Sequence, residues 1–206
     1  MIVEIDPTHP EPRKIARAVA ALQAGEVIAY PTDTVYALGA DLHNRKAIER
    51  IYQIKQMKSD QPLAFICQDL SDIATYAVIE NAQYRLIRRL LPGPYTFIFD
   101  ATREVPKQLL LKRKQVGIRV PDHPLVTALT AALGRPIISS SAGPHGGDAF
   151  IDAREIDDHF SGLALVLDGG VGGTVPTTVV DLTGGAVSVL REGAGDPDLF
   201  RGGVTP

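Results

Sequence analysis

The side chains in this sequence best suited to chemistry recur just beyond, or at the ends of, short apolar runs. The run Val27 to Tyr30 stops at Pro31, which is followed by Thr32, Asp33 and Thr34 before Val35, Tyr36, Ala37, Leu38 and Gly39. Proline has no N–H for a sheet ladder and so marks an exit from a strand. Small polar residues past a strand end lie where open α/β sheets bind ligands. Lys55 and Lys58 follow a second helical stretch, and Arg119 lies in the run Val116 to Pro121. Ser139, Ser140 and Ser141 follow Pro136 to Ile138, Thr177 and Thr178 follow Pro176, and Arg191 closes the last run. Each has a plain structural alternative: a turn, a lysine favoured at a helix end, an arginine paired with a carboxylate, a strand threonine. Their repetition at strand ends favours a ligand site. This set holds cations and hydroxyls, with no histidine or cysteine nucleophile. It suits an anion, a carboxylate or phosphates, better than acid–base chemistry on an amide.

Several familiar sites are excluded. The chain has no G-x-x-x-x-G-K-[ST] phosphate loop, and Gly170 to Val175 fails the dinucleotide fingerprint at its last glycine. His9, His43, His123, His145 and His159 show no close pair at metal-ligand spacing. Ser139 to Ser141 lacks the G-x-S-x-G elbow of an α/β-hydrolase.

The elements that must hold these groups alternate. Periodicity and stop signals predict helices over 11–24, from an Asn44 cap to Lys55, over 70–77, over 81–91 with Asn81 as cap, over 123–133, and over 153–160 capped by Asp152. Strands are expected over 27–31, 62–67, 95–99, 116–121 and 136–138, then near 163–168, 176–182 and 186–191, while 105–114 is a basic segment of uncertain type. No repeat or linker interrupts them. The pattern is an α/β (α+β) twisted open mixed sheet in a single domain over 1–206.

Composition sets the compartment and the partners. A single cysteine, Cys67, excludes an internal disulfide and fits a reducing, cytoplasmic setting, with Cys67 as a core residue. No run is long and apolar enough to span a membrane, and the N-terminus does not read as a signal peptide. Residues 1–147 hold 18 Lys/Arg against 14 Asp/Glu, and residues 148–206 hold 3 against 10. A basic face including Arg85, Arg88, Arg89, Arg103, Lys107, Lys112, Arg113, Lys114 and Arg119 would suit a nucleotide or RNA.

The spans Pro31-Thr32-Asp33-Thr34-Val35-Tyr36-Ala37-Leu38-Gly39, Ile54-Lys55-Gln56-Met57 with Pro62-Leu63, and Pro92-Gly93-Pro94-Tyr95-Thr96 carry a resemblance. So do Gly117 to Pro124, Ser139-Ser140-Ser141-Ala142-Gly143 and Thr177-Thr178-Val179-Val180-Asp181. In that order, they make the chain resemble the YrdC/YciO family, which contains the L-threonylcarbamoyladenylate synthases, from about residue 12 to the region of Arg191. The resemblance implies a twisted open sheet with a large, positively charged concave cavity. It implies a nucleotidyltransferase that uses L-threonine, bicarbonate and ATP to make threonylcarbamoyl-AMP and pyrophosphate for tRNA modification. Magnesium would enter with ATP, and no tightly bound cofactor or protein-held metal is expected. Thr32, Thr34, Arg119, Ser139 and Thr177 fall at the family's threonine positions. Lys55, Ser141 and Arg191 fall at its ATP positions, Lys55 and Ser141 as the catalytic pair.

Two positions depart from the family pattern. Its K-x-R and S-x-N become Lys55-Gln56-Met57 and Ser141-Ala142-Gly143, so a guanidinium and an amide are missing. Lys58 is a candidate replacement charge for the nucleotide. The S-G-x-P-S loop that follows in the family reads His145 to Ala149 here. These changes place the chain nearer the YciO branch. The alternative function is a homologue without efficient synthase activity that binds double-stranded RNA, tRNA or a nucleotide through the basic cavity. A regulatory or chaperone-like pocket for another adenylate is a third reading. Restoring Met57→Arg with Gly143→Asn is expected to raise adenylylation if the pocket is otherwise intact.

Overall fold

Strict alternation along short strands gives this chain a sheet with two different faces. The structure, a computed structural model, describes residues 1–110 and 114–200. In order these form β1 (Ile2–Glu4), α1 (Pro12–Gln23), β2 (Ile28–Tyr30), β3 (Ala37–Asp41), α2 (Arg45–Ile54), β4 (Ala64–Ile66), α3 (Leu70–Tyr76), β5 (Ala77–Val78) and α4 (Asn81–Ile87). Then come β6 (Tyr95–Ala101), β7 (Gln115–Arg119), α5 (Pro124–Leu133), β8 (Ile137–Ser141), α6 (Ala153–His159), β9 (Leu165–Asp168), β10 (Thr178–Asp181) and β11 (Ser188–Arg191). The strands form one mixed sheet in the order β1-β9-β2-β3-β8-β4-β7-β6-β10-β11, with β5 pairing to β6.

On one face Phe65, Phe97, Phe99, Val116, Ile118 and Val180 join the main core, covered by α2, α3, α4 and α6. Side chains alternate across a strand, so Ala64, Thr96, Ile98, Gln115, Gly117, Arg119, Ser139 and Val179 point to the other face. Helices α1 and α5 cover only part of that face, packing Ile15, Leu22, Leu125 and Leu129 against Ile28, Tyr30, Ile66 and Ile137. The uncovered part is concave and forms the cavity.

Several boundaries differ from the sequence reading. The stretch 31–39 is not only a strand exit. Residues 31–36 are the turn of an antiparallel hairpin and 37–39 begin its second strand, because Ala37–Asp41 pairs with both β2 and β8. The edge strand β1 and the short β5 were also not anticipated. Ser139, Ser140 and Ser141 belong to β8 itself rather than to a loop beyond it, held there by five paired positions with β3. The cap of α4 is Glu80 in a capping box with Gln83, not Asn81. In the basic segment, Lys107–Leu109 is a 3-10 turn, while Lys112 and Arg113 lie outside the described residues. Cys67 is buried in the core, which pushes its thiol well above its ordinary pKa. Among the described residues no helix is long and apolar enough to cross a membrane.

Gly39 links the fold to the site. A Cβ there would lie 2.7 Å from both Ile137 Cγ2 and Tyr30 Cε1. Its absence lets Tyr30 lie flat against β3, from where its hydroxyl donates to Ser139 Oγ at 3.0 Å.

Candidate functional site

The cavity has a volume of about 350 Å³, and its walls include Thr34, Arg119, Ser139, Ser141, Thr177 and Arg191. Six of the nine sequence-predicted site residues therefore face one space. Thr32 and Lys55 stand behind this lining, each bonded to a lining residue. Lys58 is exposed and is not part of the lining. Sequence reasoning gave no role to Thr96 or Gln115, although Gln115 shares the period-two face of Gly117 and Arg119.

Arg119 ends β7 and is gripped by the turn after β2. Its Nη2 donates to Thr34 Oγ1 at 2.7 Å, to Thr32 Oγ1 at 3.1 Å and to Asp33 Oδ1. Asp33 Oδ2 accepts from the Asp122 N–H at 3.2 Å, which ties the turn to the segment after β7. Thr32 gives its own proton to Val35 O at 2.6 Å, so Thr34 keeps a proton for the Thr32 oxygen or for a ligand. Arg119 Nε is buried and has no hydrogen-bond partner among the described residues. A buried donor without an acceptor is costly.

At the opposite wall Arg191 Nε and Nη2 donate to Thr177 O at 3.1 and 2.8 Å, and Nη2 also donates to Thr177 Oγ1 at 3.0 Å. Thr177 Oγ1 lies 2.9 Å from Thr96 Oγ1. Burial, and then the charge of Arg119, lower the pKa of Arg191. The register that pairs Phe97 with Ile118 brings Thr96 level with Arg119, and Val179 pairs with both Thr96 and Arg191. Two guanidinium groups thus face each other across the cavity on one row of the sheet.

Lys55 is placed by the way α2 ends. Gln56 takes the left-handed conformation (φ 51°), its N–H bonds Gln53 O, and the Met57 N–H bonds Tyr52 O at 3.0 Å. This is a Schellman motif, in which the residue two past the cap makes an apolar contact back to the helix. Met57 fills that role and packs on the main core, so it cannot be exchanged for an arginine without loss of packing. Lys55, the cap, is 6% exposed; its Nζ donates to Ser141 O and lies 3.4 Å from Ser141 Oγ. Burial lowers its pKa to about 8.

Gly143 is similarly constrained. A Cβ there would lie 2.2 Å from Asp148 O and 2.7 Å from Ala149 Cα. Gly143→Asn therefore demands movement of the loop 144–149, and the double replacement with Met57→Arg would rebuild the local backbone as well as add two side chains. Among the described residues no group of three His, Cys, Asp or Glu could hold a metal.

The family model described as "Telomere recombination" (Sua5, YciO, YrdC) matches residues 20–193. The chain is 43% identical over 199 residues to YciO of Escherichia coli strain K12, covering 95% of this chain and 97% of that one. It superposes on the E. coli YciO crystal structure with a TM-score of 0.93 at 41% identity, covering 97% and 98% of the two chains. A threonylcarbamoyl-AMP synthase of Vibrio vulnificus strain YJ016 is 34% identical over 162 residues, 77% of this chain and 87% of that one. The P. abyssi Sua5 structure complexed with L-threonine matches with a TM-score of 0.87 at 30% identity, over 94% of this chain and 57% of that one.

A lysine whose pKa is lowered in the folded state destabilises the fold while it is charged. Between pH 8 and the ordinary lysine value the unfolded chain binds more protons, so stability rises with pH across that window. Lys55→Met is expected to raise the stability of the ligand-free protein by about 2 kcal/mol at pH 7. That advantage should shrink as pH approaches 10, read from urea midpoints at both values. An unchanged or lowered midpoint at pH 7 would show that the ammonium is not under strain.

Proposed function

From the premise that this chain belongs to the Sua5/YciO/YrdC family, we propose that its cavity binds L-threonine and ATP and performs a slow adenylyl transfer. In this reading the threonine amine and bicarbonate form a carbamate with loss of water, and a carbamate oxygen attacks the α-phosphate of ATP. The bond to the leaving pyrophosphate breaks, giving threonylcarbamoyl-AMP for tRNA modification. The observation that carries the reading is that Arg119 and Arg191 line one cavity and Lys55 reaches it through the lining residue Ser141. Among the described residues Asp33 is the one carboxylate paired with any of them. Such an excess of positive charge, with Lys55 and Arg119 buried, suits a ligand with several negative groups.

The roles follow from placement. Arg119 and the Thr34 hydroxyl offer donors for an amino-acid carboxylate and hydroxyl, and Thr32 holds Arg119 in place. Lys55 and Ser141 supply charge and a hydroxyl for phosphate, and Arg191 with Thr177 closes the far wall. Magnesium arrives as part of the ATP complex. The named relatives support this reading, one as a threonylcarbamoyl-AMP synthase and one as a threonine complex. The missing arginine and asparagine, replaced by a core-packed Met57 and a backbone-crowded Gly143, are the physical reason for a low rate.

A second reading is carried by Arg85, Arg88, Arg89, Arg103, Lys107 and Lys114, which are exposed and make no ion pair among the described residues. They form a candidate surface for double-stranded RNA or tRNA.

Purified protein is expected to release pyrophosphate only when threonine, bicarbonate and MgATP are all present, and Arg119→Ala should raise the threonine KM at least about tenfold. No release, beside a synthase that works in the same assay, would refute the enzymatic reading. For the RNA surface, a gel-shift series from 50 to 200 mM salt should show binding that weakens steeply with salt. Absence of binding at the lowest salt would remove that reading.

A further inference from the structure

Gln115 enters the cavity from the first position of β7, on the same face as Gly117 and Arg119. Its amide orientation is fixed by a short hydrogen-bond chain. The Thr183 hydroxyl lies 2.7 Å from Asp181 Oδ1, an oxygen that also accepts the Thr183 N–H at 2.9 Å. A carboxylate only accepts, so the single hydroxyl proton of Thr183 is committed to Asp181. Thr183 Oγ1 can then meet Gln115 only as an acceptor, and it takes Gln115 Nε2 at 2.9 Å. With Nε2 turned to Thr183, the carbonyl oxygen Oε1 and the second Nε2 hydrogen are what Gln115 has left to offer. Oε1 has no hydrogen-bond partner among the described residues.

The floor beside it is shaped for a flat ring. Gly117 is level with Ala64 on one side and Ile98 on the other, and Ala64 is level with Ser139. A Cβ on Gly117 would meet only Thr96 Cγ2, at an ordinary 3.6 Å. Protein packing therefore does not require glycine there, and a glycine inside a strand marks a place where another group comes close to the backbone. Pro62, Leu63 and Val179 supply apolar surface around the same floor.

The sheet register also sets the spacing. Strands β8 and β7 run in opposite directions through their common neighbour β4, so Ser141 and Gln115 stand at the same end of the floor. Two strand spacings separate them, roughly 10 Å. A phosphate at Ser141 and Lys55 and a base edge at Gln115 lie within one nucleotide's length.

We infer that Gln115 is the base-reading residue of this cavity, accepting a hydrogen bond from the exocyclic amine of an adenine nucleotide. This rests on the nucleotide reading of the cavity given above. A 6-oxo purine would set acceptor against acceptor, and a site built around one fixed polar group rejects an analogue that leaves it unpaired.

Calorimetric titration of the whole protein with MgATP, MgITP and magnesium tripolyphosphate tests this. The unmodified protein is expected to bind ATP about tenfold or more tighter than ITP. Gln115→Leu should bring the two within about threefold of each other while leaving tripolyphosphate affinity in place. Thr183→Val, outside the cavity lining, frees the amide to turn and should also narrow the ratio; it decides the matter if Gln115→Leu does not fold. Equal binding of ATP and ITP by the unmodified protein, or a ratio that survives Gln115→Leu, overturns the role of Gln115 and leaves the nucleotide reading standing. Binding of none of the three ligands overturns both.

Discussion

A buried ammonium and a buried guanidinium beside one cavity, with a second, more exposed guanidinium on its far wall, are the constraint on which the rest of this structure turns. Taking a charge from water into a protein costs several kcal/mol unless a partner compensates it. Here Asp33 is the partner of Arg119, while Lys55 has a serine carbonyl and hydroxyl and Arg191 has the carbonyl and hydroxyl of Thr177. These are weak substitutes for carboxylates. The lowered pKa of Lys55 and the unpartnered Nε of Arg119 both record that the free cavity is electrostatically incomplete. A polyanion beside Lys55 and the Arg119 guanidinium would offset the cost of holding these charges there.

The sheet makes this arrangement possible by dividing its two faces between different tasks. The aromatic and branched residues of β4, β6, β7 and β10 bury against helices on one side and supply the stability that tolerates strained groups on the other. On the cavity side small or polar residues leave depth, and α1 and α5 close only the end near β2 and β9. The grip on Arg119 comes from elements far apart in sequence, since the turn after β2 and the segment after β7 meet through Asp33. The cap of α2 reaches β8 through Lys55 and Ser141 in the same way. Cationic groups carried by a helix end and two strands are thereby held at fixed separations around the space a ligand would fill.

Much of this was legible in the sequence, because ends of apolar runs are visible there and functional groups at strand ends are positioned by those ends. Thr34, Arg119, Ser139, Ser141, Thr177 and Arg191, picked out that way, line one cavity. The limits came from interactions that no local pattern reports. Ala37–Asp41 has no β-branched residue, so its strand character rests on pairing with β2 and β8 on either side. Met57 reads as a lost arginine, yet its place is set by the left-handed Gln56 and the helix end it completes. Gly143 reads as a lost amide, whereas the structure needs a residue without a side chain against the backbone of 148 and 149. The orientation of Gln115 depends on Thr183, on a different part of the chain. The substitutions that set this chain apart from the synthases are therefore embedded in local structure and are not single exchanges awaiting reversal.

The central claim, that one cavity holds an amino acid and a nucleotide through these cations, is tested most directly by amide and side-chain chemical-shift mapping with each ligand added alone and then together. L-threonine should shift Thr32, Thr34 and the Arg119 side chain, and MgATP should shift Ser141 and the Arg191 side chain, with both sets moving when the two are present. Perturbations confined to the exposed Arg85, Arg88 and Arg89, or none on the cavity side of β7 and β8, would contradict it.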